Sequence, residues 1–230
     1  MAITDKLTAI ANTIRSRNGT TDTMTLDEMS NAIKNIQTGM ITYVNQLTTI
    51  SDYLFYGCEK LALTELPSGI TSIGSCAFEG CTSLALTSLP SGITSIGMGA
   101  FYGCVKLSLT ELPSGLTSIG NYTFQNCTNL ALTELPSGIT SIGSGTFKGC
   151  TNLALTELPS GVTSIGYNAF KDCTSLTSLT FKGTHNIIDS TAFIGCTNLT
   201  TINVPWAEGA VENAPWGATN ATINYNYVAV

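Results

Sequence analysis

The stretch Leu63-Thr64-Glu65-Leu66-Pro67-Ser68-Gly69-Ile70-Thr71-Ser72-Ile73-Gly74-Ser75-Cys76-Ala77-Phe78-Glu79-Gly80-Cys81 is rewritten 23 residues later as Leu86-Thr87-Ser88-Leu89-Pro90-Ser91-Gly92-Ile93-Thr94-Ser95-Ile96-Gly97-Met98-Gly99-Ala100-Phe101-Tyr102-Gly103-Cys104. The same ruler runs outward from this pair in both directions. Cysteine recurs at Cys58, Cys81, Cys104, Cys127, Cys150, Cys173 and Cys196, phenylalanine from Phe55 to Phe193, and isoleucine from Ile50 to Ile188, without an insertion. Such a period marks a solenoid whose coils stack on their neighbours. Within a coil, the segment ending Glu-Leu-Pro reads as a short strand, stopped by a proline that cannot donate to a ladder. Ser68-Gly69 turns the chain, and Ile70 and Ile73 begin a second extended piece. Ala77-Phe78 through Cys81 fits a tight helical turn with Phe78 and Cys81 pointing inward. One coil cannot bury these residues alone, so stability comes from its neighbours. At a rise of about 4.8 Å per coil the array makes a rod roughly 35 Å long.

Composition narrows the functional classes. Hydrophobic residues make up 43% of the chain and charged residues 10%, and no apolar run approaches the ~20 residues of a membrane-spanning helix. The net charge is −6. In residues 1–38, Lys6, Arg15, Arg17 and Lys34 cancel Asp5, Asp22, Asp27 and Glu28, so the excess acid lies in the repeats. Without a basic stripe the chain is not expected to bind nucleic acid, whose affinity comes mainly from Lys and Arg on phosphates, nor anionic lipid surfaces. The N-terminus lacks the basic start and apolar block of a secretory signal, so any export is expected by another route.

Cysteines one coil apart would lie about 4.8 Å apart with parallel side-chain directions, whereas a disulfide needs converging Cβ atoms about 3.8 Å apart. The column is therefore expected to hold buried thiols acting as small hydrophobes. Cys76 stands outside it, in a column that elsewhere carries Gly99, Tyr122, Gly145, Asn168 and Thr191. That variation predicts an exposed position, with no nearby His or Lys to lower the thiol pKa.

The flanks break the period. Residues 1–38 read as a helical hairpin: Ile3, Leu7, Ile10, Ala11 and Ile14 share one face, and Thr25 with Glu28 forms a capping box for the second helix. Its apolar faces can close on each other, cover the first coil or dock on a partner. Residues 40–205 form the solenoid. In its last coil Phe181 takes a leucine column, Lys182 a proline column and His185 an isoleucine column. Residues 206–230 are expected to cap the open end with Trp206, Trp216 and a last strand containing Ile223, Tyr225 and Tyr227, because an uncovered coil invites edge-to-edge aggregation.

The repeated Leu, Pro, Ile-Gly, Ala-Phe and Cys positions resemble the leucine-rich repeats of the BspA-like family, also called the Treponema pallidum type, from Leu47 to about Pro205. That resemblance implies a right-handed, parallel β-rich solenoid used for binding, in a family found largely on microbial cell surfaces. Two flanks look like segments attached to such repeats in phage or prophage tail proteins of gut Firmicutes. These are Ile10-Ala11-Asn12-Thr13-Ile14-Arg15 with Thr25-Leu26-Asp27-Glu28-Met29, and Val204-Pro205-Trp206 with Asn213-Ala214-Pro215-Trp216-Gly217-Ala218. The resemblance implies a virion-tail or bacterial-surface setting, with residues 1–38 meeting an assembly partner.

No catalytic constellation emerges. His185 is the only histidine, which leaves any triad or histidine-metal scheme one candidate and no partner motif. The glycines follow turn columns and none forms a phosphate loop. No cofactor or metal is expected. The acidic column Glu65, Glu111, Glu134 and Glu157, with Ser88 interrupting, stacks like charges that must be solvated, paired with a cation or offered to a basic partner. Strand alternation from Leu66 would put Glu65 out, Thr64 in and Leu63 out. A bend after Leu63 would instead bury Leu63 and free Thr64, avoiding a row of exposed leucines. Two columns vary freely: Tyr56, Glu79, Tyr102, Gln125, Lys148, Lys171 and Ile194, and Ser75, Met98, Asn121, Ser144, Tyr167 and Ser190. Both are expected to be exposed, either as a recognition face with Tyr56, Tyr102, Tyr122, Tyr167 and Met98 as anchors or as positions free of packing. The sequence thus predicts a non-enzymatic module that binds a protein or glycan on a cell surface. The alternative is a spacer without a ligand of its own.

Overall fold

The computed structural model describes residues 48–183 and 187–228; the hairpin expected over residues 1–38 and His185 lie outside the described residues. The chain winds as a parallel solenoid. Its first column of strands is β1 (Thr49–Ile50), β2 (Ser72–Ile73), β3 (Ser95–Ile96), β4 (Ser141–Ile142), β6 (Ser164–Ile165) and β8 (Ile187–Ile188). Pairs stand 23 residues apart in register, as in Ser72 opposite Ser95 and Ile73 opposite Ile96. Ile119 bridges β3 to β4. The second residue of each strand, always isoleucine, turns inward while the first stays at or near the surface, as period-two alternation requires.

A second parallel sheet runs β5 (Glu157–Leu158), β7 (Ser178–Phe181), β9 (Thr201–Asn203) and β10 (Thr222–Asn224). The strand expected before every proline is therefore present only towards the C-terminal end. Earlier coils make a coil-to-coil bond just ahead of the proline segment, as from the Ala85 N–H to the Leu63 carbonyl at 3.0 Å. Proline then interrupts the ladder for want of a donor. Just past the end of β7 the proline column holds Lys182, whose N–H reaches the Leu158 carbonyl at 3.2 Å and so adds a coil-to-coil bond that a proline cannot make.

The side carrying Cys76 to Cys81 is not helical. It consists of successive tight turns, closed by Glu79 N–H to Cys76 carbonyl at 3.2 Å and Cys81 N–H to Phe78 carbonyl at 3.0 Å. Cys76 and Gly80 both take left-handed backbone angles (φ 53° and 74°). These break the turn before it can propagate into a helix and re-aim alternate N–H groups at the next coil, as from Phe78 to Ala100 at 2.8 Å. The expected inward direction of Phe78 and Cys81 holds, since both are fully buried.

Columns pack against copies of themselves. Adjacent rings from Phe55 to Phe193 stack with centroids 5.1–5.8 Å apart and planes within 18°. All eight cysteines are buried and none is in a disulfide. From Cys81 to Cys196 each column thiol donates to the carbonyl of the phenylalanine 26 residues earlier, at 3.0–3.1 Å. The thiols therefore tie coils together as well as filling space. Gly97 shows why glycine follows isoleucine: a Cβ there would sit 2.6 Å from the Ser75 backbone nitrogen.

The end of the array departs from this order. Phe181 meets Phe193, Trp206 and Trp216 at interplanar angles of 70°, 81° and 39°. Trp216 is fully buried, and its indole N–H donates to the Glu212 carbonyl at 2.8 Å. β10 adds a last rung, with Ile223 and Tyr225 partly buried and Tyr227 exposed.

Candidate functional site

The backbone bends at Thr64, Thr87, Thr110 and Thr133. That bend decides the orientation left open by the sequence: Leu63, Leu86, Leu109, Leu132 and Leu155 are buried, and Thr64 and Glu65 face out. Past the proline a turn closes, as from the Leu116 N–H to the Pro113 carbonyl at 3.1 Å, and presents Ser114. Between the glutamate and serine columns runs a groove of about 590 Å³, with Leu112, Leu135 and the prolines lining it. It takes in Glu111, Glu134 and Glu157 but not Glu65, which lies beyond the interrupting Ser88.

Lys182 reaches back over one coil to Glu157, Nζ to Oε1 at 2.6 Å. Both side chains are more than two-fifths exposed, which limits such a pair to ~1 kcal/mol at most. The contact was legible in principle. Glu157 pairs with Thr180 in register, and Lys182, one residue past the end of that strand, is two residues on from Thr180 and so keeps to the same face.

The second surface lies about half a coil away, on the tight-turn side. Tyr56, Met98, Tyr122 and Tyr167 are exposed there. Tyr53, which the variable columns did not single out, is 54% exposed, with its ring centroid 6.0 Å from that of Tyr56. The ring of Tyr122 lies over Gly145, where a Cβ would come within 2.5 Å of it. Tyr102 is half-buried and not a free anchor, and its hydroxyl accepts from the Gln125 amide at 3.5 Å. Gln125 is buried, so the column expected to be exposed throughout is not. A side chain at this position can fold back over the preceding coil, and a polar one remains buried there only with a partner.

Cys76 likewise corrects its expectation, being only 8% exposed. Its left-handed backbone points the side chain along the surface between Tyr53 and Glu79. Burial, then a hydrogen bond to Glu79 and its charge, push this thiol up to about 11. Burial likewise pushes Cys104 and Cys196 up to about 12, and Cys127, Cys150 and Cys173 well above the ordinary thiol value. Thiolates are therefore suppressed rather than activated. Among the described residues no group of three or more His, Cys, Asp or Glu side chains is arranged to hold a metal ion, and no helix is long and apolar enough to cross a membrane.

A stacked parallel solenoid with leucine, isoleucine, phenylalanine and cysteine columns defines a leucine-rich-repeat scaffold. The BspA type leucine rich repeat region matches residues 48–173 and 118–214, in six copies. The chain belongs to that family. A leucine-rich-repeat protein of T. pallidum superposes with a TM-score of 0.56 at 33% identity, over 66% of this chain and 71% of that one. A leucine-rich-repeat protein from Bacteroides ovatus shares the fold with a TM-score of 0.50 at 23% identity, over 79% of this chain and 59% of that one. No curated protein matches the sequence.

Proposed function

We propose that the chain is a non-enzymatic attachment module, carried on a bacterial surface or virion tail, that binds a host protein or glycan through its tyrosine face. The observation that carries this reading is the exposure of Tyr53, Tyr56, Met98, Tyr122 and Tyr167 on one side of a rod whose repeated positions are otherwise spent on packing. Large aromatic side chains on a rigid backbone lose little entropy on binding and supply most hot-spot energy. BspA-type repeat proteins typically serve as binding or adhesion modules. In this reading residues 1–38 dock the module to its assembly, residues 40–205 present the binding face and residues 206–230 close the rod.

The test is binding of the full chain to a glycan array and to bacterial and epithelial cells, compared with a Tyr56→Ala/Tyr167→Ala double variant. Specific binding weakened about tenfold or more in the variant supports the reading, as the loss of two hot-spot side chains of ~1 kcal/mol or more each predicts. An absence of specific binding would leave the rod as a spacer.

A further inference from the structure

The groove along the acidic column points to a second ligand, on a different side from the tyrosines. One of its three carboxylates is already occupied by the Lys182 ammonium. That is the only ion pair among the described residues, so Glu111 and Glu134 stand on consecutive coils without a cation. Stacked like charges repel, and a ligand that separates them with positive charge relieves that repulsion. A metal ion is a poor fit, because no three ligating side chains converge there. The apolar floor formed by Leu112 and Leu135 suits the aliphatic stems of lysine side chains, which lie along apolar surface while the charge stays polar and solvated.

We propose that this groove takes an extended peptide segment bearing lysine or arginine at alternate positions, laid along the rod so that its cations meet Glu111 and Glu134 as Lys182 meets Glu157. Alternate residues of an extended chain stand about 6.6 Å apart, and the coils are spaced at 5.1–5.8 Å where their rings stack. Flexible lysine stems absorb the difference. Lys182 then acts as a built-in stopper, holding the third carboxylate against a ligand.

The experiment is fluorescence anisotropy with a labelled Lys-Ser-Lys-Ser-Lys peptide and the full chain at low salt, with the glutamate version of the peptide as control. Glu111→Gln and Glu134→Gln are each expected to weaken binding about two- to fivefold, the range of one exposed ion pair. Glu208→Gln, which removes the same charge at an exposed site outside the groove, is expected to leave binding unchanged. Lys182→Ala is expected to tighten binding by a similar factor, because it opens Glu157 as a third rung. No binding of the lysine peptide overturns the proposal. So does an equal loss in Glu208→Gln, which would mean bulk charge alone, or a Lys182→Ala variant that binds no better. Tyr167→Ala is outside the groove, so failure here leaves attachment through the tyrosine face untouched.

Discussion

The middle coils and the C-terminal end bury similar aromatic residues by opposite means. Between Phe78 and Phe147 each ring lies on a copy of itself with planes 3–4° apart. At Phe181 the neighbours are Trp206 and Trp216, at 81° and 39°. A coil inside the array has an identical surface above and below, so one residue type fills its column. The last coil has a neighbour on one side only, and covering its open face takes larger, unlike side chains from outside the period. Middle coils should therefore fail together and the end should fail locally.

Alkaline pH tests the middle coils most severely. The sign follows from where the protons sit: in the middle coils the folded thiols hold theirs to about 11 in Cys76 and about 12 in Cys104, with Cys127 and Cys150 also pushed well above the ordinary value by burial, whereas unfolded thiols release them near pH ~8.5. Stability is thus complete below that pH and falls as pH rises towards the folded values. Each thiol that ionises only on unfolding lowers it by about 1.4 kcal/mol per pH unit. Thermal melts from pH 7 to 11 should show a steep fall in Tm beginning near pH ~8.5, and a flat profile would mean that the thiols titrate alike in both states.

Truncating one ring comes next. Phe124→Ala and Trp216→Ala should each cost about 3–5 kcal/mol in urea denaturation, but hydrogen exchange should separate them. Because each coil is stabilised by its immediate neighbours, Phe124→Ala should raise exchange in the coils of Phe101 and Phe147 alike. Trp216→Ala should loosen the Phe181 and Phe193 coils first and leave the Phe78 coil protected. Identical exchange maps would erase the distinction between middle and end.

The smallest effect is at a thiol. Cys127→Ala removes both the S–H donor that holds the Phe101 carbonyl at 3.0 Å and a fully buried sulfur, and should cost about 1–2 kcal/mol. A urea midpoint unchanged from the parent would mean that neither the bond nor the packing of this thiol holds the column.

The sequence by itself determined the coil and its interior. Phenylalanine, isoleucine and cysteine recur every 23 residues because each must meet its own copy, so the packing rule is written directly in the spacing. Only the tertiary structure decided matters that turn on backbone direction or on contacts between coils. The bend at Thr64 chose Leu63 for the core, and the left-handed backbone at Cys76 buried a residue whose column varies too much to look buried. Gln125 went under the surface because Tyr102 on the preceding coil offers it a hydroxyl. The groove exists because three glutamates on successive coils and a lysine from the next line up along the rod. A period reports what repeats within each coil; what a ligand would meet depends on how the exceptions in different coils are brought side by side.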